Sequence, residues 1–190
     1  MNCLSLNADN LRNKLEELST LVYIHNPDII MVQELLPKNS EILPSTSQYT
    51  LEGYELFANE DSWERGVAIY IKNDIKATKI DSSTLIRQGK ESVWVEVRLK
   101  NNDKLIVGSM YRSPNASRES SMELFGQMRC ISDTQPSHLL IAGDFNLPDI
   151  DWELESSPNS LSNLSNIFME NYRDCFLYQH VMAPTHHRPG

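Results

Sequence analysis

One apolar run and the polar turn after it constrain the fold more than any other feature. Residues 138–141 (His-Leu-Leu-Ile) lead through Ala142 into Gly-Asp-Phe-Asn at 143–146. Such a run is typical of a buried strand, and the Gly-Asp-Phe-Asn segment predicts a turn at its carboxyl end. Open α/β sheets bind ligands at that edge. In extended geometry Asp144 and Asn146 would point the same way, out of the sheet. The carboxylate can accept a proton and the amide can donate to an oxyanion, which suits hydrolysis of a phosphate ester.

Polar side chains also end three other predicted strands. The runs at 3–6, 28–32 and 105–110 lead to Asn7 with Asp9, to Glu34, and to Tyr111, respectively. Carboxylates that converge at one edge repel one another and need a cation or a shared proton. Mg²⁺ is typically bound by one or two carboxylates together with water and substrate phosphate. Glu34, with either Asp9 or Asp144, is therefore a candidate magnesium site.

The rest of the chain alternates between helical and strand patterns, without repeats or a linker. Apolar residues at 11, 15, 18 and 22 predict a helix that Asp9 or Asn10 could cap, and further helices are expected at 119–131 and from about 160 to 172. Short strands are expected at 54–57, 67–71, 75–80 and 93–99. Because several neighbouring strands have the pattern of antiparallel pairs, we predict an α/β sandwich with two mixed sheets, not a strictly parallel doubly wound sheet.

Composition limits the function classes. The 190 residues are enough for one domain with a real core, and no apolar stretch approaches the ~20 residues that span a bilayer. The net charge of −9 disfavours tight binding of nucleic acid by bulk electrostatics, although a local cluster of basic residues could still engage it. Candidates for that cluster are Arg112, Arg118, Lys72 and Lys76. We see no signal peptide, and three scattered cysteines fit free thiols in a reducing compartment, so we expect a nuclear or cytoplasmic location and no membrane partner.

Five segments occur in the order and approximate spacing of a known family. They are Asn7-Ala8-Asp9, Gln33-Glu34, Arg65-Gly66-Val67-Ala68-Ile69-Tyr70, Tyr111-Arg112-Ser113-Pro114 and Gly143-Asp144-Phe145-Asn146. Together they resemble the endonuclease/exonuclease/phosphatase superfamily over nearly the whole chain. With the segments at 4–8 and 13–18 and with Pro184-Thr185, the set looks most like the endonuclease domain of a LINE-type (non-LTR) retrotransposon polyprotein. The resemblance implies a four-layer fold of two mixed, mostly antiparallel sheets flanked by helices.

The resemblance also implies roles for individual residues. Glu34 is similar to the metal-ligating glutamate of the family, Asp9 to a second acidic position, Asn7 to a positioning asparagine, Tyr111 to a phosphate-binding tyrosine, Asp144 to the aspartate that handles the proton, and Asn146 to the amide that stabilises charge on the phosphate. The implied cofactor is Mg²⁺, with Mn²⁺ as a substitute. The implied substrate is DNA, nicked to give a 3′-hydroxyl that a reverse transcriptase domain in the same polyprotein would extend.

The sequence departs from the family pattern at its C-terminal end. Family members continue with a strand that carries another aspartate and with a Ser-Asp-His-type motif, whereas this sequence stops at Gly190. None of the five histidines, His25, His138, His180, His186 and His187, sits in an Asp-His pair. We therefore expect residues 1–190 to be one domain that lacks its C-terminal strands and has impaired activity. Two alternatives stay open: a phosphatase of inositol phosphates or another small phosphoester, and a non-catalytic remnant.

Overall fold

The computed structural model describes residues 1–38, 46–59, 65–81, 91–157, 163–181 and 183. Eight strands and three α-helices occur in this part of the chain. In order they are β1 (Cys3–Asn7), α1 (Leu15–His25), β2 (Ile29–Gln33), β3 (Tyr54–Ala58), β4 (Val67–Lys72), β5 (Ala77–Lys79), β6 (Ser92–Arg98), β7 (Lys104–Tyr111), α2 (Arg118–Asp133), β8 (His138–Asp144) and α3 (Leu164–Asp174). None of these helices is long and apolar enough to cross a membrane.

The strands form two mixed sheets of four strands each. The first sheet has the order β1-β2-β4-β3 and the second has the order β5-β6-β7-β8. In each sheet one pair is parallel, β1 with β2 and β7 with β8, and the other pairs are antiparallel. The predicted α/β sandwich of two mixed, mostly antiparallel sheets is confirmed.

Helices cover the outer faces of the two sheets. Alternate residues of β2 show how, because Ile29 and Met31 pack between the sheets whereas Ile30 and Val32 pack outward with Leu18 of α1. On the second sheet, a separate cluster joins Trp94, Ile106 and Met110 to apolar residues of α2 and α3. Strands covered on both faces have near-continuous apolar sequences, which explains the unbroken runs in β2 and β4. The layers are therefore helix, sheet, sheet and helix pair.

Two predicted helices begin differently from expectation. The first starts as a 3-10 turn at Leu11–Lys14 before α1, and Asn10, which precedes it at φ 85°, makes no capping bond through its side chain. The third, α3, begins at Leu164 because the Asn163 side chain accepts a hydrogen bond from the Ser165 amide at 2.7 Å. Residues 160–162 of the predicted helix lie outside the described residues.

Candidate active site

Four strand ends meet at one edge of the sandwich. Asn7 is opposite Gln33 in the parallel β1-β2 pair, and Tyr111 is opposite Asp144 in the parallel β7-β8 pair. Backbone bonds extend the first pair past its last residues, since the Ala8 amide donates to the Gln33 carbonyl at 2.9 Å. The two parallel pairs run toward the same end, so they bring their polar termini together.

Asn7 joins the two sheets at this edge. Its Nδ2 donates to Glu34 Oε1 at 2.8 Å and to Asp144 Oδ2 at 2.9 Å, while its Oδ1 accepts from the Asp9 amide at 3.0 Å. The Asn7 side chain thus contacts a carboxylate from each sheet. The hydrogen bond from the Asp9 backbone N–H also ties the turn at Asp9 to the Asn7 side chain. The structure brings Asn7, Asp9, Glu34 and Asp144 together as the sequence predicts. The chemical roles assigned to them stay predictions.

Arg65 contributes a cation to this carboxylate cluster. Its Nη2 forms ion pairs with Asp9 Oδ1 and with Glu34 Oε2. Arg65 is only 7% exposed and Glu34 only 9% exposed, whereas the Asp9 side chain is 65% exposed. The hydrogen bond from Arg65 holds the pKa of Asp9 below its ordinary value. Sequence reasoning noted Arg65 in a family-like segment but did not place it in the site.

Glu91 is a second residue that sequence reasoning missed. Its carboxylate accepts from the Arg65 amide at 3.2 Å and from the Gly66 amide at 3.0 Å, and its carbonyl accepts from the Tyr111 amide at 2.8 Å. Gly66 has φ 73°, a left-handed conformation that suits glycine. Glu91 therefore fixes the backbone from which the Arg65 side chain extends, and it ties that backbone to the end of β7. The one signal for Glu91 in the sequence is its place two residues before the apolar run at 93–95.

Tyr111 lies beside Glu34 at the end of β7. Burial raises the pKa of the Tyr111 phenol, and the Glu34 carboxylate raises it further through its charge and a hydrogen bond. The neutral phenol is therefore the form present at neutral pH, and it can act as a hydrogen-bond donor. The predicted placement of Tyr111 at this edge holds, but its hydroxyl interacts with a carboxylate of the cluster.

The turn after β8 differs from the predicted extended geometry. β8 ends at Asp144, and Asn146 has φ 49°. The backbone is therefore not extended from Asp144 to Asn146, and strand geometry does not place their side chains on one face. The cause is a local turn in which the Asn146 amide donates to Asp144 Oδ1 at 3.2 Å. The Asn146 side chain donates through Nδ2 to the Arg112 carbonyl at 2.8 Å. Both residues still lie at the edge, held by hydrogen bonds instead of by strand geometry.

The Arg112 side chain holds this turn in place by hydrogen bonds to its backbone carbonyls. Its Nη1 donates to the carbonyls of Phe145 and Asn146 at 3.3 and 3.2 Å, and its Nε donates to Ser121 Oγ of α2 at 2.9 Å. Burial lowers the pKa of Arg112 from its ordinary value.

Gly143 permits the close approach of β7 and β8 at this edge, because a Cβ atom at this position would lie 2.3 Å from the Met110 carbonyl oxygen.

The four basic residues named as a candidate cluster do not lie together: Arg112 and Arg118 follow β7 on the side of the site, whereas Lys72 and Lys76 do not. Arg112 is buried within the protein, and Lys72 lies at the opposite end of the first sheet, where it pairs with Asp28 at 3.5 Å. Lys76 also lies at the opposite end, because its carbonyl accepts from the amide of Arg98, the last residue of β6. These residues belong to different elements, so their presence in the sequence does not create one basic surface.

Among the described histidines, His25 and His138 lie at the end of the sandwich opposite the carboxylates. His25 ends α1, His138 begins β8 at the end opposite Asp144, and His180 stacks edge-on against the Tyr178 ring with centroids 5.1 Å apart. His186 and His187 lie outside the described residues, as does the Pro184-Thr185 pair.

The donor set fits a hard divalent cation. Within the described ranges, no group of three or more His, Cys, Asp or Glu residues forms a ready protein cage for a metal ion. Mg²⁺ does not need one, since it is usually held by one or two carboxylates plus water and phosphate. Glu34 and Asp9 already direct oxygens at one positive group, the Nη2 of Arg65. Glu34 and Asp9 would therefore hold Mg²⁺. Asp144 lies beside Glu34, because both accept a hydrogen bond from the same Asn7 side chain.

Comparison with protein families identifies the chain. The model of the endonuclease/exonuclease/phosphatase family matches residues 1–188. The chain belongs to the endonuclease/exonuclease/phosphatase family. A search of curated protein sequences found no match to the chain.

Solved structures share the fold at low sequence identity. The endonuclease domain of TRAS1, described as a telomere-specific non-LTR retrotransposon, superposes with a TM-score of 0.65 at 18% identity, covering 92% of this chain and 70% of that chain. The AP endonuclease LMAP from Leishmania major gives 0.63 at 14% identity, covering 92% and 65%. The Neisseria 3′ phosphatase NExo bound to a product DNA hairpin gives 0.60 at 16% identity, covering 92% and 71%. The chain therefore has the fold of a family of hydrolytic nucleases and phosphatases.

Proposed function

We propose that this protein is a divalent-metal-dependent phosphodiesterase that nicks DNA. The observation that carries the proposal is the Asn7 amide, which bridges Glu34 of one sheet and Asp144 of the other at 2.8 and 2.9 Å. That contact joins a candidate metal ligand to a candidate proton acceptor, which is the pair that hydrolysis of a phosphodiester needs.

The side chains divide the hydrolytic step among them. Asp144 would accept a proton from the attacking water as the water oxygen forms a bond to phosphorus. The bond between phosphorus and the 3′ oxygen would break, that oxygen would take a proton from solvent water, and Asp144 would then release its proton to solvent. Asn7 orients Asp144 by donating to it. The Asn146 amide has two N–H donors, of which one bonds the Arg112 carbonyl, leaving the other for a phosphate oxygen. The single O–H of Tyr111, which bonds Glu34 in this structure, would turn to donate to the phosphate when Glu34 binds the cation.

Mg²⁺, or Mn²⁺ in its place, would be held by Glu34 and Asp9. When bound, such a cation polarises a phosphoryl oxygen and stabilises charge on the leaving oxygen. One carboxylate oxygen of each residue forms an ion pair with the same nitrogen of Arg65, which supports the proposal that both residues bind one cation.

DNA is the substrate that the relatives favour. TRAS1 is a retrotransposon endonuclease domain by its description, and the NExo structure holds a product DNA hairpin. We propose that this chain likewise acts on DNA, as the endonuclease domain of a retrotransposon polyprotein with a reverse transcriptase as partner, in the nucleus or cytoplasm. The net charge of −9 favours brief engagement over tight binding.

Small phosphoesters form the second candidate substrate class. NExo is described as a 3′ phosphatase and has a related fold, which favours testing phosphate release beside strand cleavage. A non-catalytic remnant is the third candidate.

The test is nicking of supercoiled plasmid with the protein in excess, so that a single turnover is enough to be detected. We expect open-circle product with Mg²⁺, none with a chelator, and loss of the product in Glu34→Gln. Glu170→Gln, an exposed carboxylate on α3 that accepts from Asn166 at 3.1 Å, is the matched control and should nick normally. Phosphate release from inositol phosphates without nicking would move the assignment to the second class. Neither activity at any divalent-ion concentration would favour the remnant.

A further inference from the structure

Arg65 lies where a metal cofactor is expected to act. Its guanidinium contacts Glu34 and Asp9 through a single nitrogen, Nη2. Within the described part of the chain, Arg65 is the one cation that pairs with the carboxylates of the edge. A metal ion that took these oxygens would have to compete with it.

The guanidinium is buried and incompletely bonded. Arg65 is 7% exposed, and its Nε and Nη1 atoms are buried without a hydrogen-bond partner among the described residues. An arginine offers five N–H donors, and the three on Nε and Nη1 have no partner within the described ranges. Unpaired buried donors cost free energy, and this cost makes the ion-paired arrangement easier for another cation to displace.

The backbone of Arg65 is held independently of its side chain. Glu91 accepts from the amides of Arg65 and Gly66 at 3.2 and 3.0 Å. The guanidinium can therefore leave Glu34 while the loop that carries it stays in place. Neutral substitutions at position 65 keep both of these backbone bonds.

Charge balance at the edge matches one divalent cation. Glu34, Asp9, Asp144 and Glu91 supply four carboxylates, and Arg65 and Arg112 supply two guanidinium groups. In their ionised forms these groups leave two negative charges, which one Mg²⁺ would neutralise. Without Arg65, the site with Mg²⁺ bound would keep a negative charge and would repel a phosphodiester.

We infer that Arg65 is a charge-balancing positioning residue. It holds Glu34 and Asp9 together before metal binds and gives up both carboxylates to the divalent cation. Its charge then leaves the metal-loaded site without a net negative charge that would repel a phosphate. This inference rests on the proposed function for the identity of the ligand, a divalent cation followed by a phosphodiester. It assigns Arg65 a role in setting metal affinity that is separate from proton transfer.

Calorimetric titration with Mn²⁺ tests the exchange. Arg65→Met removes the competing charge but keeps an unbranched apolar side chain, so we expect Mn²⁺ to bind about tenfold more tightly than to the unchanged protein. Arg65→Lys keeps the charge and should stay within about threefold of the unchanged protein. Arg129→Met breaks an exposed ion pair with Asp174 and should leave Mn²⁺ affinity unchanged.

A structural role alone would give the opposite result. If Arg65 only supports the fold, Arg65→Met would weaken Mn²⁺ binding together with thermal stability, and this outcome would overturn the inference. Equal Mn²⁺ affinity in the Met and Lys variants, or no binding by any variant, would overturn it as well.

Binding of a short DNA duplex at saturating Mn²⁺ tests the second half. We expect Arg65→Met to bind the duplex several-fold more weakly than Arg65→Lys does, and equal affinities would overturn the charge-balancing role toward phosphate. Nicking is not scored in either titration. If metal exchange occurs but the plasmid stays intact, the inference stands and the proposed function fails.

Discussion

Removing the Asn7 amide tests the contact that joins the two sheets. In Asn7→Ala, Glu34 Oε1 and Asp144 Oδ2 each lose a donor that lies at 2.8 or 2.9 Å. A hydrogen bond to a charged group is worth about 1.5–3 kcal/mol when shielded and less when exposed. The bond to Glu34 is partly buried and the bond to Asp144 is exposed. We therefore expect the free energy of unfolding to fall by about 2 kcal/mol.

Thermal and urea unfolding of the metal-free protein would measure the Asn7 effect. For a chain of 190 residues the expected loss corresponds to a Tm lower by about 4–8 °C. Asn166→Ala is the control, because its side chain makes only an exposed bond to Glu170 at 3.1 Å, a pair worth about 0.2–0.5 kcal/mol, and accepts a long bond from Ser157 at 3.4 Å. Asn7→Asp should be less stable than Asn7→Ala, since it places a third carboxylate against two others, and Mg²⁺ should recover part of its loss. Equal melting of the Asn7→Ala and Asn166→Ala proteins would refute the reasoning.

Two further predictions concern stability. The pKa of Asp9 is lowered by Arg65, so its contribution to stability is present above the ordinary pKa of about 3.9 and is lost as pH falls through the lower folded value. Between pH 6 and pH 2.5, the Tm of Asp9→Asn should fall less with decreasing pH than the Tm of the unchanged protein does. An equal fall in both proteins would contradict this. Gly143→Ala would place a Cβ atom 2.3 Å from the Met110 carbonyl oxygen, so it should cost about 1–3 kcal/mol or more in urea unfolding. Gly126→Ala in α2 meets no atom within 4 Å and should be neutral or stabilising; similar losses in both variants would show that the β7-β8 spacing is not limiting.

The strand ends could be predicted from the sequence because each follows an apolar run. A buried strand delivers its next polar residue to a sheet edge, which is how Glu34, Tyr111 and Asp144 were placed. The family resemblance supplied their roles, and the fold it implies is the fold found.

The contacts that tie the site together could not be predicted in the same way. Asn7 meets Asp144 across 137 residues, and this contact depends on how the two sheets face each other. Arg65 meets Glu34 across 31 residues, and this contact depends on the pairing of β2 with β4. The left-handed Asn146 also escaped prediction, because an alternation rule for extended chains does not foresee a turn closed by the Asp144 side chain. Local patterns found the elements, while tertiary packing determined the hydrogen bonds.

Single-turnover nicking by Asp144→Asn tests the central claim most directly. The substitution keeps the size of the side chain but removes the carboxylate that would accept the proton, so the rate with Mg²⁺ should fall about 10²–10⁴-fold. Asp174→Asn, an exposed aspartate at the end of α3, is the matched control and should keep the rate of the unchanged protein. Nicking by Asp144→Asn at the rate of the control would contradict the account, because hydrolysis would then not depend on the edge where the two sheets meet.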